Sequence, residues 1–213
     1  MRKLGWAAAV ALFVAASAVS GQVEEIYSRH LRIFHPRGDF AQLLIRQNPP
    51  VGSGWKKIEG PELGFRLSVP ANATVDTKPA ESRLVEVLLP GATGKSRPVL
   101  RIDRFTPGED DPTEVDANYA DRFAAEYPKA AFGGKFTVAD SGMITRDRRV
   151  SFAMVGGTYA TGATESYRVQ WAYLGKDQQY FATFDCASRE WPGLSDQVAQ
   201  ILLSWELDRR KGK

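Results

Sequence analysis

The chain has 213 residues, of which 43% are hydrophobic and 11% aromatic, and a formal net charge of +3. That length and composition suit one globular domain or a small pair, and they exclude a disordered polymer. The charge is too small, and too scattered, to make a nucleic-acid-binding surface.

Residues 1–21 read as a signal peptide. Met1, Arg2 and Lys3 give a positive start, an apolar run follows over residues 4–14, and Ala16-Ser17-Ala18 supplies the small-x-small pattern of a cleavage site. The apolar run falls short of the roughly 20 residues that a membrane-spanning helix needs, which favours a cleaved signal over the alternative of an uncleaved anchor. The expected product is an exported protein, periplasmic or extracellular, with no stable membrane span after cleavage. Removing Arg2 and Lys3 from a total of +3 leaves +1 for the mature chain.

Residues 22–54 read as an N-terminal helical arm and linker. Ile26, Tyr27, Leu31 and Phe34 recur near helical spacing, and Pro36 stops the run. A second short helix is predicted from Asp39, with Phe40, Leu43 and Leu44 on one face. The stretch Asn48-Pro49-Pro50-Val51-Gly52-Ser53-Gly54 then breaks any regular structure.

The main domain is predicted over residues 55–208. Phe65, Leu67 and Val69 alternate with Arg66 and Ser68 in a strand that Pro70 ends. Residues 84–89 and 99–105 form a strand pair joined by a loop that holds Gly94-Lys95-Ser96. Those three residues imitate the end of a phosphate-binding loop. Leu89 stands where its first glycine belongs, however, and Pro98 and a strand follow where a helix is required, so no nucleotide is expected. Asp111-Pro112-Thr113-Glu114 reads as a helix start, after which Val115, Tyr119, Phe123 and Tyr127 recur every four residues until Pro128. Strands follow at residues 149–155, 167–174 and 180–185, with Gly175-Lys176-Asp177 turning the last two into a hairpin. Leu194, Val198, Ile201, Leu202 and Trp205 stripe a C-terminal helix, and residues 209–213 form a basic tail that reads as a solvated end. Strand runs with short connections predict an α+β fold, a mainly antiparallel sheet packed with helices.

Three stretches carry a family resemblance: LGFRLSVPANATVD, YRVQWAYLGKDQQYFATFDCA and VAQILLSWEL. Over about residues 55–208 the chain resembles the PsbP-like family. The resemblance implies an antiparallel sheet between helices, an α/β/α sandwich used for binding and assembly rather than catalysis. It supplies no functional residue.

The alternation itself singles out a candidate site. If the apolar positions face the core, period two places Arg66, Ser68, Arg101, Asp103, Arg149, Ser151, Arg168, Gln170, Thr183 and Asp185 on the other face. Arg66, Arg101 and Arg168, with Gln170, could hold a carboxylate or phosphate, because a guanidinium offers two parallel donors. The alternative is that arginines and acids pair across strands and neutralise one another. The arm over residues 23–46 is a candidate cover for this face, and equally a partner-binding segment.

Catalytic chemistry finds no foothold. The only histidines are His30 and His35, Cys186 stands alone, and no G-x-S-x-G turn occurs. Glu109-Asp110-Asp111 reads as helix capping rather than a carboxylate pair. No metal or cofactor is expected. The sequence therefore predicts an exported, non-enzymatic binding or assembly module, partnered by another envelope protein or a small anionic ligand. The alternatives are an anion carrier that uses the arginine face, and an unrecognised hydrolase.

Overall fold

The computed structural model describes residues 25–27, 31–77, 82–90, 97–146 and 150–207. The signal peptide, the cluster Gly94-Lys95-Ser96, Arg149 and the basic tail lie outside the described residues.

The frame is a nine-stranded antiparallel sheet in the order β1-β2-β8-β9-β10-β11-β7-β6-β5. Its centre is the meander of β8 (Phe136–Arg146), β9 (Val150–Thr161), β10 (Thr164–Tyr173) and β11 (Gln179–Ala187). Next to β11 lie β7 (Val99–Phe105), β6 (Arg83–Leu88) and the short β5 (Thr74–Asp76), while β1 (Glu25–Tyr27) and β2 (Leu31–Arg37) extend the β8 side. A second, three-stranded sheet in the order β12-β4-β3 is built from β3 (Trp55–Glu59), β4 (Phe65–Pro70) and β12 (Glu206–Leu207).

Two cores sit on the two faces of the large sheet. The first and larger joins the sheet's Leu100, Ile102, Phe152, Met154, Val169, Trp171, Ala182 and Phe184 to α1 (Asp39–Arg46), α3 (Trp191–Leu203) and the small sheet. Phe65 stacks on Trp205 at 4.6 Å within it. The second core lies under α2 (Ala117–Phe132) and is made of Val115, Ala120, Phe123, Phe136, Met143, Ala153, Val155, Ala172 and Leu174. The fold is thus α+β, with helices on both sides of an antiparallel sheet.

Three local readings change. The run predicted as a helix from residue 23 holds β1 and β2 instead, and β2 pairs with β8 from Leu31↔Arg146 to Arg37↔Ser141. In so short an apolar run the helical and strand periods are hard to separate, and an available sheet edge decides. Pro36 is tolerated because the pairing slips between Phe34 and Arg37, where His35 adopts a φ of 50°. The arm's short helix forms as predicted from Asp39, but it buries Phe40, Ala41 and Leu44 in the first core rather than covering the polar face.

α2 starts later and ends later than the sequence predicts. Its cap is Asp116, whose carboxylate accepts the Tyr119 N–H at 2.6 Å, and Pro128 sits inside the helix. Near a helix end a proline forfeits one donor without breaking the remaining ladder, and Gly133, left-handed at φ 58°, terminates the helix.

Candidate functional site

The predicted site residues are placed by the β10–β11 hairpin, whose register sets Arg168 opposite Asp185 and Gln170 opposite Thr183. Arg168 donates from Nε to Asp185 Oδ1 at 2.6 Å and from Nη2 to Oδ2 at 2.8 Å. This is a two-pronged ion pair, the strong form of the interaction. Asp185 also accepts the Tyr159 hydroxyl at 3.0 Å and Arg101 Nη1 at 3.4 Å. Arg101 Nε donates to Glu86 at 3.0 Å, and Arg83 reaches both Glu86 and Asp103. The arginines of this face are therefore held in a ladder of carboxylates that runs from β6 across β7 and β11 to β10.

Under the last turns of α2 the ladder becomes a buried network. Gln170 is 4% exposed, and its Oε1 accepts the hydroxyls of Tyr127 at 3.0 Å and Thr183 at 2.7 Å. Tyr127 in turn accepts Arg168 Nη1 at 3.2 Å. The guanidinium lies 5.0 Å from the ring centre of Phe132 and 5.2 Å from that of Tyr159, within cation–π range of both. Burial works against the Arg168 charge, but the bonds to Asp185 and Tyr127 outweigh it and hold its pKa above the ordinary arginine value. Burial raises the pKa of Tyr127 and Tyr159, so both phenols stay neutral and able to donate.

The structure brings Arg101, Arg168 and Gln170 together and leaves Arg66 apart. Arg66 lies on β4 of the small sheet, where it is exposed and pairs with Glu206. Period two places a side chain correctly within its own strand, yet it cannot say which sheet the strand joins. Sequence reasoning missed Tyr127, Phe132, Tyr159 and Glu86 as neighbours of the arginines. Tyr127 carried a signal, since it stands on the stripe of every-fourth aromatics, but that stripe reads as plain core.

A second buried polar centre anchors α1. Asp140 on β8 is 3% exposed and accepts the Phe40 N–H at 2.8 Å and the Tyr167 hydroxyl. It lies at a bulge between β8 and β9. Gly38, with φ 88°, passes so close that a Cβ there would stand 2.2 Å from Asp140 Oδ1. Burial raises the Asp140 pKa, and the bonds from Tyr167 and Phe40 oppose that rise without cancelling it. Tyr167 stacks on Trp191 at 4.2 Å, tying this centre to α3.

The other chemical groups are dispersed. His35 Nδ1 meets Asp121 Oδ2 at 3.1 Å on the surface between β2 and α2. Cys186 is 3% exposed, and burial, with smaller contributions from Glu190 and Asp185, pushes its thiol up to about 12. It is a protonated, packed residue rather than a nucleophile. Among the described residues no three His, Cys, Asp or Glu side chains converge as a metal site. A pocket of about 260 Å³ opens beside Leu63, Leu84 and Arg104, where Arg104 Nη1 donates to the Glu62 carbonyl at 2.8 Å. No described helix is long and apolar enough to cross a membrane.

No protein-family model matches the chain, and no curated protein matches it. Solved structures do. Cyanobacterial PsbP (CyanoP) from Synechocystis sp. PCC 6803 superposes with a TM-score of 0.53 at 10% identity, covering 76% of this chain and 97% of its own. LpqN of Mycobacterium tuberculosis, a protein involved in cell envelope biogenesis, gives 0.51 at 11% identity, covering 91% of this chain and 96% of its own. A protein of Bacteroides thetaiotaomicron VPI-5482 gives 0.45 at 12% identity, and this chain, matched over 76% of its length, spans 51% of that one. The fold is PsbP-like, as the sequence resemblance implies.

Proposed function

We propose that the chain is an exported, non-enzymatic binding or assembly module of the cell envelope. The observation that carries this reading is the PsbP-like fold shared with LpqN, a protein of cell envelope biogenesis, over nearly the full length of both chains. The leader read in residues 1–21 supports export. The anion-carrier alternative draws no support from the geometry, because Arg101 and Arg168 each already face carboxylates.

A partner has an accessible surface to use. On the second face, beyond α2, the strip of β6, β7 and β11 keeps Arg83, Glu86 and Arg101 partly exposed, and Phe105 is 44% exposed against Phe181. Aromatic side chains and arginine are the residues enriched at protein interfaces. The test is purification of the C-terminally tagged protein from its native cell after cross-linking. A stoichiometric envelope protein, and a mature N-terminus near residues 18–22 by mass spectrometry, are the expected results. A chain recovered alone with Met1 intact would overturn both parts.

A further inference from the structure

We propose that α2, together with the loop before it, is a lid that opens as one unit from a sheet that stays folded, latched by Tyr127 and Arg168. The two helices of comparable length are held very differently. α3 buries Val198, Ala199, Ile201, Leu202 and Leu203 in the first core, whereas α2 buries Ala120, Phe123 and Pro128 and leaves Tyr119, Ala124, Tyr127 and Phe132 half-buried against the second. Apolar burial is the main term that holds a helix to a sheet, so α2 is the weaker attachment.

Hinges stand at both ends. Gly133 and Gly134 follow the helix with φ of 58° and 82°, and a Cβ on either would meet nothing within 4 Å. Two unencumbered left-handed glycines can absorb a change of direction at little cost. Before the helix, residues 108–114 are exposed, and the loop is anchored by Val115 in the second core and by the Pro112 carbonyl, which accepts from Gln179.

The polar network beneath the lid decides what opening costs. Arg168 keeps both bonds to Asp185, and Gln170 keeps its bond from Thr183, using the sheet alone. Departure of α2 removes only the Tyr127 hydroxyl and the Phe132 ring from this group. Water can replace a hydroxyl, so no charge is stranded when the helix lifts. Had the sheet relied on α2 for its counter-charge, opening would leave a buried ion unpaired and would be far less accessible. Two further ties cross this seam: His35 to Asp121, which is exposed and weak, and Gln179 Nε2, which donates to the Pro112 carbonyl at 3.0 Å and exchanges that neutral partner for water when the loop lifts.

Native-state hydrogen exchange on the intact protein tests this. The amides of residues 120–132 other than Pro128 should share one protection factor, about tenfold or more below that of 198–203, as expected for a sub-global opening. Tyr127→Phe, which keeps the ring and removes the latch hydroxyl, should speed the α2 amides a further few-fold and leave α3 unchanged. The proposal is overturned if α2 exchanges only with α3 and the sheet, if its protection grades inward from the ends as in fraying, or if Tyr127→Phe accelerates both helices equally.

Discussion

The two faces of the large sheet are made by the same strands and have opposite chemistries. Facing α1, α3 and the small sheet, Leu100, Ile102, Phe152, Met154, Val169, Trp171, Ala182 and Phe184 are all at most 3% exposed. One residue further along each strand, the other face alternates Ala153, Val155 and Ala172 with Arg101, Arg168, Gln170, Thr183 and Asp185. A helix still packs on part of that second face. What permits it is pairing: the charges satisfy one another within the sheet, so a cover can sit on them without stranding any. A polar sheet face is therefore not proof of an open one, and an arginine on it is not proof of a ligand site.

That contrast can be broken most forcefully in the cores. Phe184→Ala, with no exposed surface to lose, should cost about 3–5 kcal/mol, whereas Phe123→Ala in the thinner second core should cost at most about 3 kcal/mol. Urea melts that rank them the other way would contradict the division into a major and a minor core. Asp185→Ala leaves the largely buried Arg168 without its two-pronged partner and should cost about 3 kcal/mol, read by the same melts.

Asp140 sharpens the comparison through pH. Burial sets its folded pKa above the ordinary carboxyl value, so its contribution to stability is full below that ordinary value and is lost as pH rises through the folded one. Melts of the wild type and Asp140→Asn between pH 4 and 7 should show the wild type losing stability relative to the variant as pH rises. A difference that is flat or opposite in sign would remove burial as the dominant cause. The smallest effect belongs to Arg66→Ala, which breaks an exposed pair on the small sheet and should cost under about 1 kcal/mol.

Much of this architecture was legible from local pattern. The β10–β11 hairpin is announced by strict alternation around Gly175-Lys176-Asp177, and α3 by a stripe from Leu194 to Leu202, because both signals lie within about 20 residues of chain. What failed depended on distant partners. β2 is a strand because β8 offers it an edge, and Arg66 departs from the other arginines because β4 pairs with β3 and β12. The pairing of Arg101 and Arg168 with acids was one of two outcomes the sequence allowed, and the strand register selected it. The contribution of Tyr127 was invisible because a tyrosine on an apolar stripe looks the same whether or not its hydroxyl meets Gln170.

One face of the sheet is committed to the fold, and we propose that the strip of the other face left uncovered by α2 meets a partner. Photo-cross-linking side chains placed in turn at Phe105, on the uncovered strip, and at Lys57, exposed on the small sheet behind the first core, test it in the native cell. A discrete adduct with an envelope protein from position 105 and none from position 57 is the predicted result. Adducts from position 57 alone, or from neither, would contradict it.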